Sequence, residues 1–132
     1  GLGDGYMTAL LARFAQMVTV YETDEQVLKF AQHNLNQHQV RNVNYELSSG
    51  LMHSTEKFDA LILTGSLPEL TDALQYKINV GGRILAIIGT PDAPMMYATL
   101  FERVSEHEWA RRVVFETLAQ PLTGATLTNF EF

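Results

Sequence analysis

Two runs, FDALILTG at 58–65 and RILAIIG at 83–89, are almost wholly apolar. A strand with one wet face alternates apolar and polar residues. A nearly continuous apolar strand must be covered on both faces, as in a parallel sheet flanked by helices. The runs therefore predict two buried parallel strands, with a connection that brings the chain back to its starting end. Pro68 near a helix start, then Leu70, Leu74 and Tyr76, predict a short helix to about Lys77 for that return. Gly81-Gly82 reads as a turn before the second strand.

Upstream, YMTALLARFAQ (6–16) sets Met7, Leu10, Leu11 and Phe14 on one helical stripe. MVTVYE (17–22) is a short β-branched strand. Asp24 is placed to cap the helix DEQVLKFAQHNLN, with Val27, Phe30, Ala31 and Leu35 inward. NVNYELS (42–48) alternates Val43, Tyr45 and Leu47 as a half-buried strand, and an irregular connection follows around 50–56. After Pro94, MMYATLFERVS and EWARRVVFETL both read as extended around a polar SEHE, which predicts an antiparallel hairpin. Pro121 closes it, and ATLTNFEF reads as an edge strand or docked terminus. The order is loop-α-β-α-β-β-α-β-β-β. Such alternation predicts right-handed crossovers and a doubly wound α/β sheet. A chain of 132 residues, 46% of them apolar, suits a single domain over 1–132.

Composition narrows the partners. A net charge of −6 argues against a generic phosphate-binding surface and so against non-specific nucleic-acid binding. The absence of cysteine excludes disulfides and thiolate metal sites. No apolar run approaches the roughly 20 residues that span a bilayer, and no basic segment precedes an apolar one as in a signal peptide. A cytoplasmic protein without a membrane partner is expected. His33, His38, His53 and His107 lack metal-ligand spacing and read as solvated or half-buried; no metal is expected.

The opening GLGDGY leads straight into the first helix. Glycines at 1, 3 and 5 permit positive φ and close approach of a ligand to the backbone. A helix start offers free N–H groups to a carboxylate or phosphate. Glu22 ends the next strand about 20 residues on, where an acidic side chain can take both hydroxyls of a ribose. A nucleoside-containing cofactor follows as a hypothesis, though spacing does not choose among cofactors. The dinucleotide pattern G-x-G-x-x-G is not met, since the third glycine comes one residue early. A loop of this kind belongs after the first strand of a sheet. That strand is expected to be absent from this chain, with the natural protein longer at its N-terminus.

These residues resemble a known family. GLGDGY with TALLA, then VTVYE, is similar to the first two cofactor motifs of class I S-adenosylmethionine-dependent methyltransferases. More narrowly, the chain resembles protein-L-isoaspartate O-methyltransferases. KFDALILTGSLPELTDAL matches the family's P-F-D-x-I-x-V-T-x-x-x-P segment, with Thr64 and Pro68 in register. NVGGRILAIIG matches K-x-G-G-R-L-x-x-P-V-G, and FETLAQPLTGA matches the F-V-P-L-x-G close. The GSLP and C-terminal details are most similar to a divergent proteobacterial branch. The resemblance implies a Rossmann-like, mostly parallel sheet of the class I methyltransferase type with a C-terminal antiparallel hairpin. It implies S-adenosyl-L-methionine as cofactor and methyl transfer to L-isoaspartyl carboxylates of damaged proteins by a monomer. Gly1, Gly3 and Gly5 would face the methionine part, and Asp4, where serine is usual, its amino group. Glu22, with Thr23 beside it, would hold the ribose. Ser48, Ser49 and Gly50 stand where the family has G-D-G, so that a hydroxyl at Ser49 replaces the carboxylate that contacts adenine. Thr64 would lie near methyl transfer. The family's substrate-side residues precede the glycine loop and are absent from this chain.

Other residues read as structural. Trp109 and Phe115 are expected to pack on the sheet, and Met95-Met96 to fill the core. Arg111-Arg112 reads as a solvated strand face, and Asp59 as a local backbone acceptor at a strand start. A class I methyltransferase of another substrate and a non-catalytic cofactor-binding paralogue stay open, since a fold does not fix function. A nicotinamide dehydrogenase fits less well, for want of the glycine spacing and of a second catalytic pair.

Overall fold

The computed structural model describes residues 5–47, 56–92 and 95–117. The chain divides into two compact units, Gly1–Leu51 and Met52–Phe132. The predicted 50–56 connection, apart from Glu56, and the tail from 118 lie outside the described residues. The order of helices and strands follows the expected alternation throughout.

The first unit contains α1 (Tyr6–Ala12), β1 (Val18–Glu22), α2 (Glu25–Gln37) and β2 (Val43–Leu47). β1 and β2 pair in parallel, from Val18 opposite Val43 to Glu22 opposite Leu47. Helix α2 makes the crossover. Asp24 caps it as expected, Oδ1 accepting from the N–H of Gln26 at 2.9 Å and Val27 at 3.2 Å. Its far end closes with Gln39 at φ 58, where the Val40 N–H reaches the Leu35 carbonyl at 2.9 Å. Asn42 ties α1 to β2, its Nδ2 donating to the carbonyls of Ala12 (2.8 Å) and Ala15 (2.9 Å).

The buried face of α2 is largely the expected one: Ala31 and Leu35 are buried and Val27 packs on the core. The correction is Phe30, which is exposed, while Leu28 is buried. Val20, Leu28 and Ala31 form the core, with Val18, Val27, Val43 and Tyr45 packed on it. Phe30 adds hydrophobicity to a face that packing does not use. The α1 stripe is corrected likewise: Met7 and Phe14 are exposed, and the small Thr8 is the buried residue. The Tyr45 hydroxyl is buried without a hydrogen-bond partner among the described residues, and burial pushes its pKa up.

The described residues of the second unit form a four-stranded sheet in the order β3-β4-β5-β6. β3 (Phe58–Leu67) pairs in parallel with β4 (Ile78–Ile88), and the short α3 (Asp72–Gln75), capped by Thr71, lies between them in sequence. β5 (Met96–Arg103) and β6 (Trp109–Thr117) add antiparallel, as the predicted hairpin. Leu67, Leu74, Ile78, Ile84 and Ala86 are wholly buried, and Met96 fills the core as expected. β3 is not buried on both faces. Asp59, Ala60 and Thr64 are exposed while Leu63 and Gly65–Leu67 are buried.

Three further expectations are corrected. Gly81-Gly82 lies inside β4, where the register jumps between Phe58–Ile78 and Ala60–Arg83. The glycines form a bulge in a longer strand, with Gly81 at φ 86. Asp59 accepts from the Asn79 side-chain amide across this bulge, at 3.1 Å, and not from local backbone. Phe115 is exposed, while Trp109 is partly covered.

Arg103 is the one buried charge of the sheet's described residues. Nη1 donates to the Ile78 carbonyl at 2.7 Å and Nη2 to the Glu106 carbonyl at 2.8 Å, and Tyr76 lies 5.6 Å from the guanidinium. It joins the start of β4 to the β5–β6 turn. Among the described residues no helix is long and apolar enough to cross a membrane, and no three His, Cys, Asp or Glu side chains cluster as metal ligands.

Two stability predictions follow from local geometry. A Cβ on Gly82 would sit 2.5 Å from Ile78 Cγ2, 2.8 Å from the Asp59 carbonyl and 2.9 Å from the Asn79 carbonyl. Gly82→Ala should therefore cost about 1–3 kcal/mol, read from the urea midpoint. Asp24→Ala should cost about 1 kcal/mol in the same assay through the lost cap of α2.

Candidate functional site

The first unit brings three of the expected site residues, Gly5, Glu22 and Thr23, into its described part. Gly5 precedes α1 with φ 92 and ψ 0, in the left-handed region that favours glycine. It is buried, and a Cβ there would lie 3.2 Å from Leu35 Cγ and 3.4 Å from Ala31 Cβ. The glycine thus meets two needs at once: the left-handed turn and the close approach of α2. Its carbonyl accepts from the Ala9 N–H at 2.9 Å, the first turn of the helix.

Glu22 is the last residue of β1 and is 9% exposed. Its Oε2 accepts from the N–H of Thr23 at 2.9 Å and of Asp24 at 3.1 Å. Two acidic side chains therefore serve successive N–H groups where β1 turns into α2: Glu22 takes those of residues 23 and 24, and Asp24 those of 26 and 27. Burial without such donors would make an ionised carboxylate costly. With them, Glu22 is held in one orientation before any ligand arrives. Thr23 is exposed and contributes its backbone N–H.

A carboxylate has about four lone-pair sites. A carboxylate at the end of such a strand is the kind of group that takes paired hydroxyls. The carboxyl ends of parallel strands are where open α/β sheets bind ligands.

Thr64 lies in the second unit, towards the carboxyl end of β3. Between Ile62 opposite Leu85 and Ser66 opposite Ile87, β3 advances four residues and β4 two. Thr64 stands within this irregularity, exposed, between buried Leu63 and Gly65. A bulge redirects side chains and is common beside functional sites. The apolar run predicts a regular strand and conceals it; the signal is the T-G-S interruption at its end. Ser66, buried at 1% exposure, is a polar group there that the sequence reading did not single out. Gly1, Gly3, Asp4, Ser48, Ser49 and Gly50 lie outside the described residues.

Comparison with known proteins extends this picture. The model of the family described as protein-L-isoaspartate(D-aspartate) O-methyltransferase matches residues 1–126. A protein-L-isoaspartate O-methyltransferase of Janthinobacterium sp. (strain Marseille) is 29% identical over 130 residues, covering 97% of this chain and 44% of that protein. A solved protein-L-isoaspartate O-methyltransferase superposes with a TM-score of 0.80 at 20% identity, over 96% of this chain and 41% of the other. A Plasmodium falciparum PCMT structure in complex with S-adenosyl-L-homocysteine has a TM-score of 0.65 at 14% identity, over 80% of this chain and 52% of that one. These structural likenesses show the Rossmann-like methyltransferase fold. The chain spans less than half the length of the curated relative. By the family match over nearly its whole length, the chain belongs to the protein-L-isoaspartate(D-aspartate) O-methyltransferase family.

Proposed function

We propose that the intact protein transfers a methyl group from S-adenosylmethionine to the carboxylate of L-isoaspartyl residues in damaged proteins. The observation that carries the cofactor part is the buried Glu22 carboxylate at the end of β1, fixed by two backbone N–H groups. A carboxylate so placed fits a ribose, whose two hydroxyls are donors. Family membership supports the reaction class. The Plasmodium falciparum relative was crystallised with S-adenosyl-L-homocysteine, the demethylated form of the cofactor.

When bound, S-adenosylmethionine supplies an activated methyl group on a sulfonium leaving group. The residues of this chain hold and orient. Gly1, Gly3 and Gly5 would let the backbone approach the methionine part, and Asp4 would face its amino group. Glu22, held by the Thr23 N–H, would take the ribose, and Ser48, Ser49 and Gly50 would serve the adenine. In place of the family's aspartate, Ser49 would offer adenine an uncharged acceptor. Thr64, exposed within the β3 irregularity, would lie near methyl transfer. An isoaspartyl carboxylate is already ionised at neutral pH. No general base is needed, and alignment with exclusion of water supplies the rate. The 132 residues act as one S-adenosylmethionine-binding domain.

The test is calorimetric titration of the intact protein with S-adenosylhomocysteine, with NAD as control. Binding of the first alone is expected. Glu22→Ala should weaken it by about 1.5–3 kcal/mol, as for a lost charged hydrogen bond. Glu22→Gln keeps an acceptor for the Thr23 and Asp24 N–H groups and isolates the charge. An unchanged dissociation constant in both variants removes Glu22 from the site. Methyl incorporation into an isoaspartyl peptide, but not its aspartyl counterpart, tests the substrate separately.

A further inference from the structure

Among the described residues β6 is the outer strand of the four-stranded sheet and pairs with β5 alone. Every residue from Ala110 to Glu116 is exposed, including Val113, Val114 and Phe115, each about half uncovered or more. A long apolar strand edge of this kind is a template for another strand. We infer that β6 pairs antiparallel with β6 of a second copy of this chain, about a two-fold axis through its bulge.

The register carries the inference. Val113 stands opposite Thr99 and Phe115 opposite Ala98, so Val114 is the extra residue of a bulge. One step out from that centre, Arg112 and Phe115 face Leu100 and Ala98; two steps out, Arg111 and Glu116 face Phe101 and Tyr97. Arg111 and Glu116 are therefore equally distant from the centre and lie on one face, and Arg112 and Phe115 share the other. In a regular strand Arg111 and Glu116, an odd number of residues apart, would point to opposite faces. The bulge brings them to the same one.

A two-fold axis perpendicular to the sheet through this centre sets Arg111 against Glu116 of the second copy, twice. It also sets Arg112 against the ring of Phe115, twice. The first is an opposite-charge cross-strand pair and the second a cation–π contact. Both copies carry the same bulge on the axis, so their edges twist alike. Arg111, Arg112 and Glu116 are exposed and make no ion pair among the described residues. So short an edge contact falls below the about 1,200 Å² of a stable complex, and the pairing is weak and concentration-dependent. It is thus compatible with the monomer that the family resemblance implies at low concentration. The opposing reading is that the arginines and the bulge blunt the edge against any pairing.

Sedimentation velocity of the intact protein over a concentration series decides between them. The weight-average sedimentation coefficient should rise with concentration. Arg111→Glu and Glu116→Arg each set like charges opposite one another and should weaken association by about tenfold. The double variant R111E/E116R restores opposite charges and should return association to within about twofold of the original. Circular dichroism of each variant verifies the fold. A coefficient independent of concentration overturns the inference. So do single reversals without effect, or a double variant that stays as weak as the singles.

Discussion

Parallel pairing is the constraint on which each unit depends. Two parallel strands cannot be joined by a tight turn, so the chain must travel back before it pairs again. In the first unit α2 makes that return from β1 to β2, and in the second the segment through α3 makes it from β3 to β4. Each return begins at the carboxyl end of a strand. There the backbone leaves the ladder, and its N–H groups need new partners. Glu22 and Asp24 supply them at the end of β1. The same requirement that shapes the crossover thus fixes a buried carboxylate where an α/β fold binds ligands.

At the end of β3 the device is different. The register of the strand slips there, and Thr64 is exposed between buried Leu63 and Gly65. One strand end offers a rigid anion and the other a hydroxyl on an irregular backbone. The assignment of Thr64 rests on family resemblance, whereas that of Glu22 has its own hydrogen-bond geometry.

The order of elements was legible because periodicity records which faces are buried. Asp24 as a cap and Glu22 as a strand end were legible from residue type and position alone. What escaped were local departures from regularity. Gly81-Gly82 has the composition of a turn, yet it serves as a bulge within β4, since the packing of Ile78 against Gly82 requires the missing Cβ. Phe30 and Phe14 count as core by hydrophobicity, while their exposure depends on which neighbours the fold provides. A run such as FDALILTG shows burial on average and hides the two-residue slip that exposes Thr64.

Arg103 has a consequence for substitution. Its guanidinium is buried against two carbonyls and an aromatic ring. The carbonyls belong to Ile78, at the start of β4, and to Glu106, in the β5–β6 turn. A planar fork donates to both at once from separate nitrogens, whereas an ammonium is a single point on a flexible stem. Lysine at this position would keep the charge and lose the bridge. The anchorage of the hairpin thus depends on the shape of the cation as well as on its sign.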